Sequence, residues 1–229
     1  MLSTLIAPKS LVVSCQALPH EPLHGSQHMA VMARAACEGG AKGIRSNSPE
    51  DIRAIRAAVD LPVIGLWKRD YEGFDMYITP TVQDAVAVHE AGAHIVALDA
   101  TDRPRPDGLS LKDTIAKLKQ RGVVIMADIS TYEEGINAAE YGADYISTTL
   151  AGYTPYSEGP LPRLELVKQL SDKLTVPVVA EGGIWTPEQA RQALEHGASF
   201  VVVGSAITRP QLITAQYTSA MAEARESGK

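Results

Sequence analysis

Short apolar runs alternate with amphipathic stretches along the whole chain. The runs are Leu11–Gln16, Gly43–Ser46, Val63–Trp67, His94–Asp99, Val123–Ile129, Tyr145–Thr148, Val178–Ala180 and Phe200–Val203. They are brief and rich in Val and Ile, as strands buried on both faces of a parallel sheet are. Between them the apolar positions take a helical period. Leu111, Ile115 and Leu118, for example, fall at i, i+4 and i+7, on one helix face. Two of the helices announce their starts, with Ser48-Pro49-Glu50 and Thr186-Pro187-Glu188. In each, a hydroxyl can cap the first turn, a proline fits where no N–H is needed, and an acid suits the positive end of the helix dipole.

The alternation is itself periodic. EGGAKGI from Glu38, EAGAHIV from Glu90, EYGADYI from Glu140 and EHGASFV from Glu195 recur at intervals of about 50 residues. Each closes a helical pattern with Gly, which accepts the left-handed conformation, and then enters an apolar run. The runs LPVIGL, GVVIMA and VPVVAE fall between them. Two strand–helix units per period, over four periods, predict a TIM (β/α)8 barrel occupying residues 1–229 as one domain. An open doubly wound sheet fits less well, because no GxGxxG opens the first helix and such a sheet has no reason to repeat four times.

In a barrel of this kind the informative residues are the polar ones at the C-terminal ends of strands. Here they are Gln16, Arg45, Lys68, Asp99 with Asp102, Asp128, Thr148 with Thr149, Glu181, and Gly204 with Ser205. Any one could be a strand end meeting water. The last two positions are more specific: Glu181-Gly182-Gly183-Ile184 follows the seventh strand and Gly204-Ser205-Ala206-Ile207-Thr208-Arg209 the eighth. Loops there often hold phosphate through backbone N–H groups and a short helix. Gly182, Gly183, Gly204, Ser205 and Arg209 are the candidate phosphate ligands, though the glycines would also serve plain tight turns. Lys68 on the third strand and Glu181 on the seventh are four strands apart, so they face each other across a barrel just wide enough for side chains. An ammonium and a carboxylate on opposite faces of one small substrate suit moving a proton from one face of a carbon to the other. A structural ion pair, or a Schiff-base role for Lys68, remains an alternative. A lysine base needs a lowered pKa, for which Arg45 and Arg69 are the candidate neighbours. Asp128 could bind a substrate hydroxyl or oppose that shift.

Composition narrows the partners. The chain has 229 residues, 45% of them hydrophobic, and a net charge of −6. An acidic surface argues against nucleic acid as the main partner. No apolar run reaches the ~18 residues of a membrane helix, and MLSTLIAPKSLVVSCQ lacks the plan of a signal peptide, so a cytoplasmic protein is expected. The two cysteines, Cys15 and Cys37, are too few for a disulfide framework and are expected in the core. The histidines of HEPLHGSQH, from His20 to His28, have no recognised metal spacing, so no metal and no cofactor is expected.

The motifs SCQ (Ser14–Gln16), GIRSN (Gly43–Asn47), GLWKRD (Gly65–Asp70), YITPT (Tyr77–Thr81), ALDATDRPRP (Ala97–Pro106), IMADIS (Ile125–Ser130), TTLAGYT (Thr148–Thr154), VAEGGI (Val179–Ile184) and VGSAITRP (Val203–Pro210) together resemble the N-acylmannosamine-6-phosphate 2-epimerase family of sialic-acid catabolism, over almost the whole chain. The resemblance implies a metal-independent barrel enzyme that inverts C2 between N-acetylmannosamine-6-phosphate and N-acetylglucosamine-6-phosphate. It implies that Lys68 and Glu181 carry the proton transfers, that Gln16, Arg45 and Asp128 bind the sugar, and that the two glycine loops hold the phosphate. Thr148 and Thr149 are expected to line the same substrate site. A phosphosugar substrate and a homodimer are the implied partners. A metal-dependent pentulose-phosphate epimerase would want His at strand tips, which this chain lacks; a Schiff-base aldolase and a silent phosphosugar-binding regulator are the other readings to separate.

Overall fold

In the computed structural model, which describes residues 5–226, each apolar run becomes a strand. The elements, in order, are β1 (Leu11–Cys15), α1 (Ser26–Glu38), β2 (Gly43–Asn47), α2 (Pro49–Ala58), β3 (Val63–Leu66), α3 (Val82–Glu90), β4 (Ile95–Asp99), α4 (Leu111–Lys119), β5 (Ile125–Asp128), α5 (Tyr132–Glu140), β6 (Tyr145–Ser147), a 3-10 turn (Thr148–Leu150), α6 (Leu164–Lys173), β7 (Val178–Glu181), α7 (Pro187–Glu195), β8 (Phe200–Val203), α8 (Ser205–Thr208) and α9 (Pro210–Glu226). All strands are parallel, each pairs with its sequence neighbour, and β8 closes on β1. The barrel is therefore the one the repeat predicts. The first four and last three residues of the expected 1–229 domain lie outside the described residues.

Differences from the expected boundaries are small and concentrated at strand tips. Gln16, Trp67, Ile129 and Thr148 fall just beyond their strands, and β7 runs one residue further, to Glu181. The start signals act as read. Ser48 accepts from the N–H of Asp51, and Thr186 pairs with Gln189 in a capping box. The repeated phrase places a glycine at the same left-handed corner each time: Gly40, Gly92, Gly142 and Gly197 have φ of 95°, 102°, 100° and 96°, which Cβ-bearing residues rarely adopt. Cys15 is buried as expected, but Cys37 is exposed on α1. That helix is amphipathic, and position 37 falls on its solvent side.

The pleat decides what faces the barrel axis, because successive side chains of a strand point to opposite sides. Val12, Ile64, Leu66, Ile95, Ala97, Met126, Val179, Phe200 and Val202 pack together inside the barrel. Their neighbours Val13, Val63, Val96, Leu98, Ala127, Val178 and Val201 pack outward against the helices. Extending the inner parity to the C-terminal rim gives Ser14 and Gln16, Arg45, Lys68, Asp99, Asp128, Thr149, Glu181 and Gly204. So a polar cluster caps an apolar barrel core, and the register that packs the core also aims the cluster.

Candidate active site

Arg45 is the hub of that cluster and is almost wholly buried, with 1% of its side chain exposed. Its Nη1 and Nη2 donate to the two carboxylate oxygens of Asp128, at 3.1 and 2.6 Å. Nη1 also lies 2.8 Å from Oε2 of Glu181. One guanidinium thus faces two carboxylates, a net negative imbalance in a place with little water. Burial pushes Glu181 up from 4.5 to about 7; Arg45 opposes the rise, Asp128 adds to it, and Thr149 and Lys68 oppose it in turn. The Thr149 hydroxyl sits 2.8 Å from Asp128 Oδ1 and 3.1 Å from Glu181 Oε2. Having one proton, it can serve one of them at a time.

Lys68 stands just past β3, where the chain turns back on itself. Its backbone bridges Ile78, and its N–H donates to Oδ1 of Asn47 at 2.7 Å. The backbone is therefore fixed from two sides. The ammonium makes no hydrogen bond or ion pair among the described residues. Burial lowers its pKa from 10.5 to about 8, with Arg45 and Arg209 lowering it further against the pull of Glu181 and Glu21. Arg69, expected as a tuning neighbour, is not one. It stacks on Trp67 and Tyr71 and pairs with Asp84 on the outer side, as the odd parity of position 69 requires.

Lys68, Glu181, Arg45, Gln16 and Thr149 line a single pocket of about 280 Å³, together with both glycine loops and Arg209. That is room for a small, single-ring ligand. Oε1 of Gln16 is buried there without a partner, an acceptor placed for a ligand donor, since burial makes an unpaired polar atom costly. Gly183 has φ +67°, and a Cβ there would come within 2.3 Å of Leu161. Only glycine lets this turn approach so closely. Gly204 packs its bare α-carbon against Ser14 and leads into α8, whose Thr208 hydroxyl donates to the Ser14 carbonyl at 2.9 Å.

Two of the expected substrate-site residues lie outside the pocket lining. Thr148 does not face the pocket. It has the outward parity, and its hydroxyl instead donates to the Glu181 carbonyl and accepts from the Glu181 N–H, tying β6 to β7. Asp128 is fully buried behind Arg45 and holds the guanidinium rather than lining the pocket. Asp99 pairs with Arg103, and neither Asp99 nor Asp102 lines the pocket. Tyr77 and Tyr153 are among the pocket residues that were missed. Tyr77 arrives because the chain after Lys68 doubles back, and burial followed by Asp128 and Asp99 raises its pKa. Tyr153 comes from the long loop after β6, where burial and then Glu181 raise it. Neither sits on a strand, so strand parity could not flag them. Among the described residues, no three His, Cys, Asp or Glu side chains gather as a metal site would require, and no helix is long and apolar enough to cross a membrane.

Known proteins match this chain closely in sequence and fold. Residues 29–223 match the model of the family described as "Putative N-acetylmannosamine-6-phosphate epimerase". A protein of Caldanaerobacter subterraneus subsp. tengcongensis named "Putative N-acetylmannosamine-6-phosphate 2-epimerase" is 54% identical over 222 residues, covering 95% of this chain and 93% of its own. One of the same name from Clostridioides difficile is 50% identical, over 92% of this chain and 95% of its own. The solved structure of the N-acetylmannosamine-6-phosphate 2-epimerase of Clostridium perfringens superposes with a TM-score of 0.91 at 45% identity, covering 94% of both chains. With the family model spanning most of the chain and relatives 54% and 50% identical over more than nine-tenths of both chains, the chain belongs to the N-acetylmannosamine-6-phosphate epimerase family.

Proposed function

We propose that this protein interconverts N-acetylmannosamine-6-phosphate and N-acetylglucosamine-6-phosphate by removing and returning the proton at C2, without a metal. The observation that carries the reading is the pairing of a lysine lowered to about 8 with a glutamic acid raised to about 7 in one pocket. Such opposed shifts are what an acid and a base working near neutral pH require. In the open-chain sugar, C2 lies beside the C1 aldehyde, so losing its proton gives an enolate. Lys68 takes the proton from N-acetylmannosamine-6-phosphate and Glu181 returns one to the opposite face; the roles exchange in the other direction. The buried Arg45 guanidinium is the positive charge that would favour the developing oxyanion. Gln16, with its unpaired Oε1, receives a donor of the sugar. The Gly182-Gly183 and Gly204-Ser205 loops, with Arg209, take the phosphate.

The relatives' names support this substrate, and the 280 Å³ pocket supports a monosaccharide rather than a polymer. The homodimer and the cytoplasmic location belong to the same proposal. Exposed Leu212, Tyr217 and Met221 on α9 support self-association, which sedimentation would test. The direct test of function is turnover by the purified protein in the presence of EDTA. Conversion of the 6-phosphate but not of free N-acetylmannosamine is expected. Activity that disappears with EDTA and returns with a divalent cation would refute the metal-independent chemistry. Borohydride trapping of substrate on Lys68 would move the reading to a Schiff-base enzyme.

A further inference from the structure

A carboxylate is paired with Arg209, a residue of the pocket lining, where it would oppose the binding of a phosphate. Glu21 lies in the loop between β1 and α1, with 11% of its side chain exposed. The Nη2 of Arg209 donates to its Oε2 at 3.0 Å, and Nε lies 2.7 Å from its Oε1, a close ion-pair contact whose N–H is out of line for a hydrogen bond. Glu21 is itself clamped. The Leu18 N–H donates to Oε2 at 2.7 Å, and Nε2 of Gln211, on the first turn of α9, donates to Oε1 at 3.0 Å. Burial pushes Glu21 up, but the Leu18 N–H and Arg209 outweigh it and hold it below its ordinary value, so it stays ionised near neutral pH.

The donors of Arg209 can then be counted. A guanidinium has five N–H groups. Glu21 faces the Nε–H without accepting it in line and accepts one Nη2 donor, and Ser205 Oγ accepts one Nη1 donor at 3.1 Å. One N–H on each Nη remains, and Arg209 lines the pocket. Two parallel N–H donors are the set that grips a phosphate in a fork.

We infer that Glu21 is a positioning residue for the phosphate subsite: it holds the guanidinium of Arg209 by its Nε edge, so that the free edge is presented to the substrate phosphate. This rests on the reading of Arg209 as a phosphate ligand. Glu21 reaches the phosphate only through Arg209, and it cancels part of the positive charge that Arg209 would otherwise impose on Lys68. A long side chain left loose pays rotamer entropy on binding; one already clamped does not.

The test is steady-state kinetics with N-acetylmannosamine-6-phosphate, and inhibition by inorganic phosphate, for Glu21→Gln, Arg209→Ala and the double variant. For Glu21→Gln the KM and the phosphate inhibition constant should both rise about tenfold, the scale of one charge-assisted contact, while kcat falls by less than KM rises. The double variant should be no worse than Arg209→Ala alone, because the two side chains act as one unit. An unchanged or lowered KM for Glu21→Gln, alongside a raised KM for Arg209→Ala, would make Glu21 idle or a competitor and overturn the inference. An unchanged KM for Arg209→Ala would sink the phosphate assignment itself, and the inference with it. If Glu21→Gln folds poorly, Glu21→Asp keeps the charge but shortens its reach; a KM raised by about threefold is expected there, and an unchanged KM overturns the inference.

Discussion

The opposed shifts of Lys68 and Glu181 dictate a pH profile. The productive state for N-acetylmannosamine-6-phosphate needs Lys68 neutral and Glu181 protonated at once. With values of about 8 and about 7, about 6% of the enzyme is in that state at pH 7.5, and the fraction falls about sixfold by pH 9 and about 2.5-fold by pH 6.5. With the ordinary values of 10.5 and 4.5, the same state would be populated in about one molecule per million, flat from about pH 5.5 to 9.5. Burial in this pocket therefore supplies a factor of about 10⁴ to 10⁵ in competent enzyme, and it converts a plateau into a narrow bell. The competent state for the reverse direction, with Lys68 charged and Glu181 ionised, holds the same number of protons, so both directions must share one profile. The assay is kcat/KM against pH, which reports the free enzyme. It is read above about pH 6.5, because the substrate phosphate ionises near 6. A plateau from pH 6.5 to 9, or profiles that differ between the two directions, would refute the reasoning.

Other perturbations bear on the same pair. Lys68→Met should abolish epimerisation, yet raise stability by about 1–3 kcal/mol at pH 7. The folded-state pKa of Lys68 is depressed, so the unfolded chain binds more protons between pH 8 and 10.5; the advantage of the variant should shrink as pH rises through that window, as denaturant titration at several pH values would show. Thr149→Val removes a hydroxyl that holds Glu181 down, so Glu181 should rise and the optimum of the bell should move above pH 7.5; an optimum that moves to lower pH would contradict that role.

The barrel was legible because its signal is collective. Eight apolar runs, four copies of one phrase and two helix caps all agree, and errors of a residue at strand tips do not disturb that agreement. The site was legible only where strand parity was simple. Lys68, Glu181, Arg45 and Thr149 were read as polar residues at or just past strand ends, and in the structure all four have the inward parity. Thr148 and Asp128 lie off the pocket lining because a strand end says that a residue is near the rim, not which side chain fills the space in front of it. Asp128 has the inward parity, but the larger Arg45 lies over it. Thr148 fails on parity alone, a test the sequence already permits once Ile146 is known to face outward. Arg69 fails for the same reason. Tyr77, Tyr153 and Glu21 come from loops whose paths depend on contacts distant in sequence, such as the Lys68–Ile78 bridge and the clamp on Arg209. No local pattern encodes those.

The central claim is that a proton leaves C2 to one protein group and returns from another. The most direct measurement is a proton NMR time course of the purified protein with N-acetylmannosamine-6-phosphate in D₂O and EDTA. Lysine and glutamate protons exchange with solvent, so N-acetylglucosamine-6-phosphate should form carrying deuterium at C2. Product that retains its original C2 proton throughout would contradict the two-group transfer between Lys68 and Glu181.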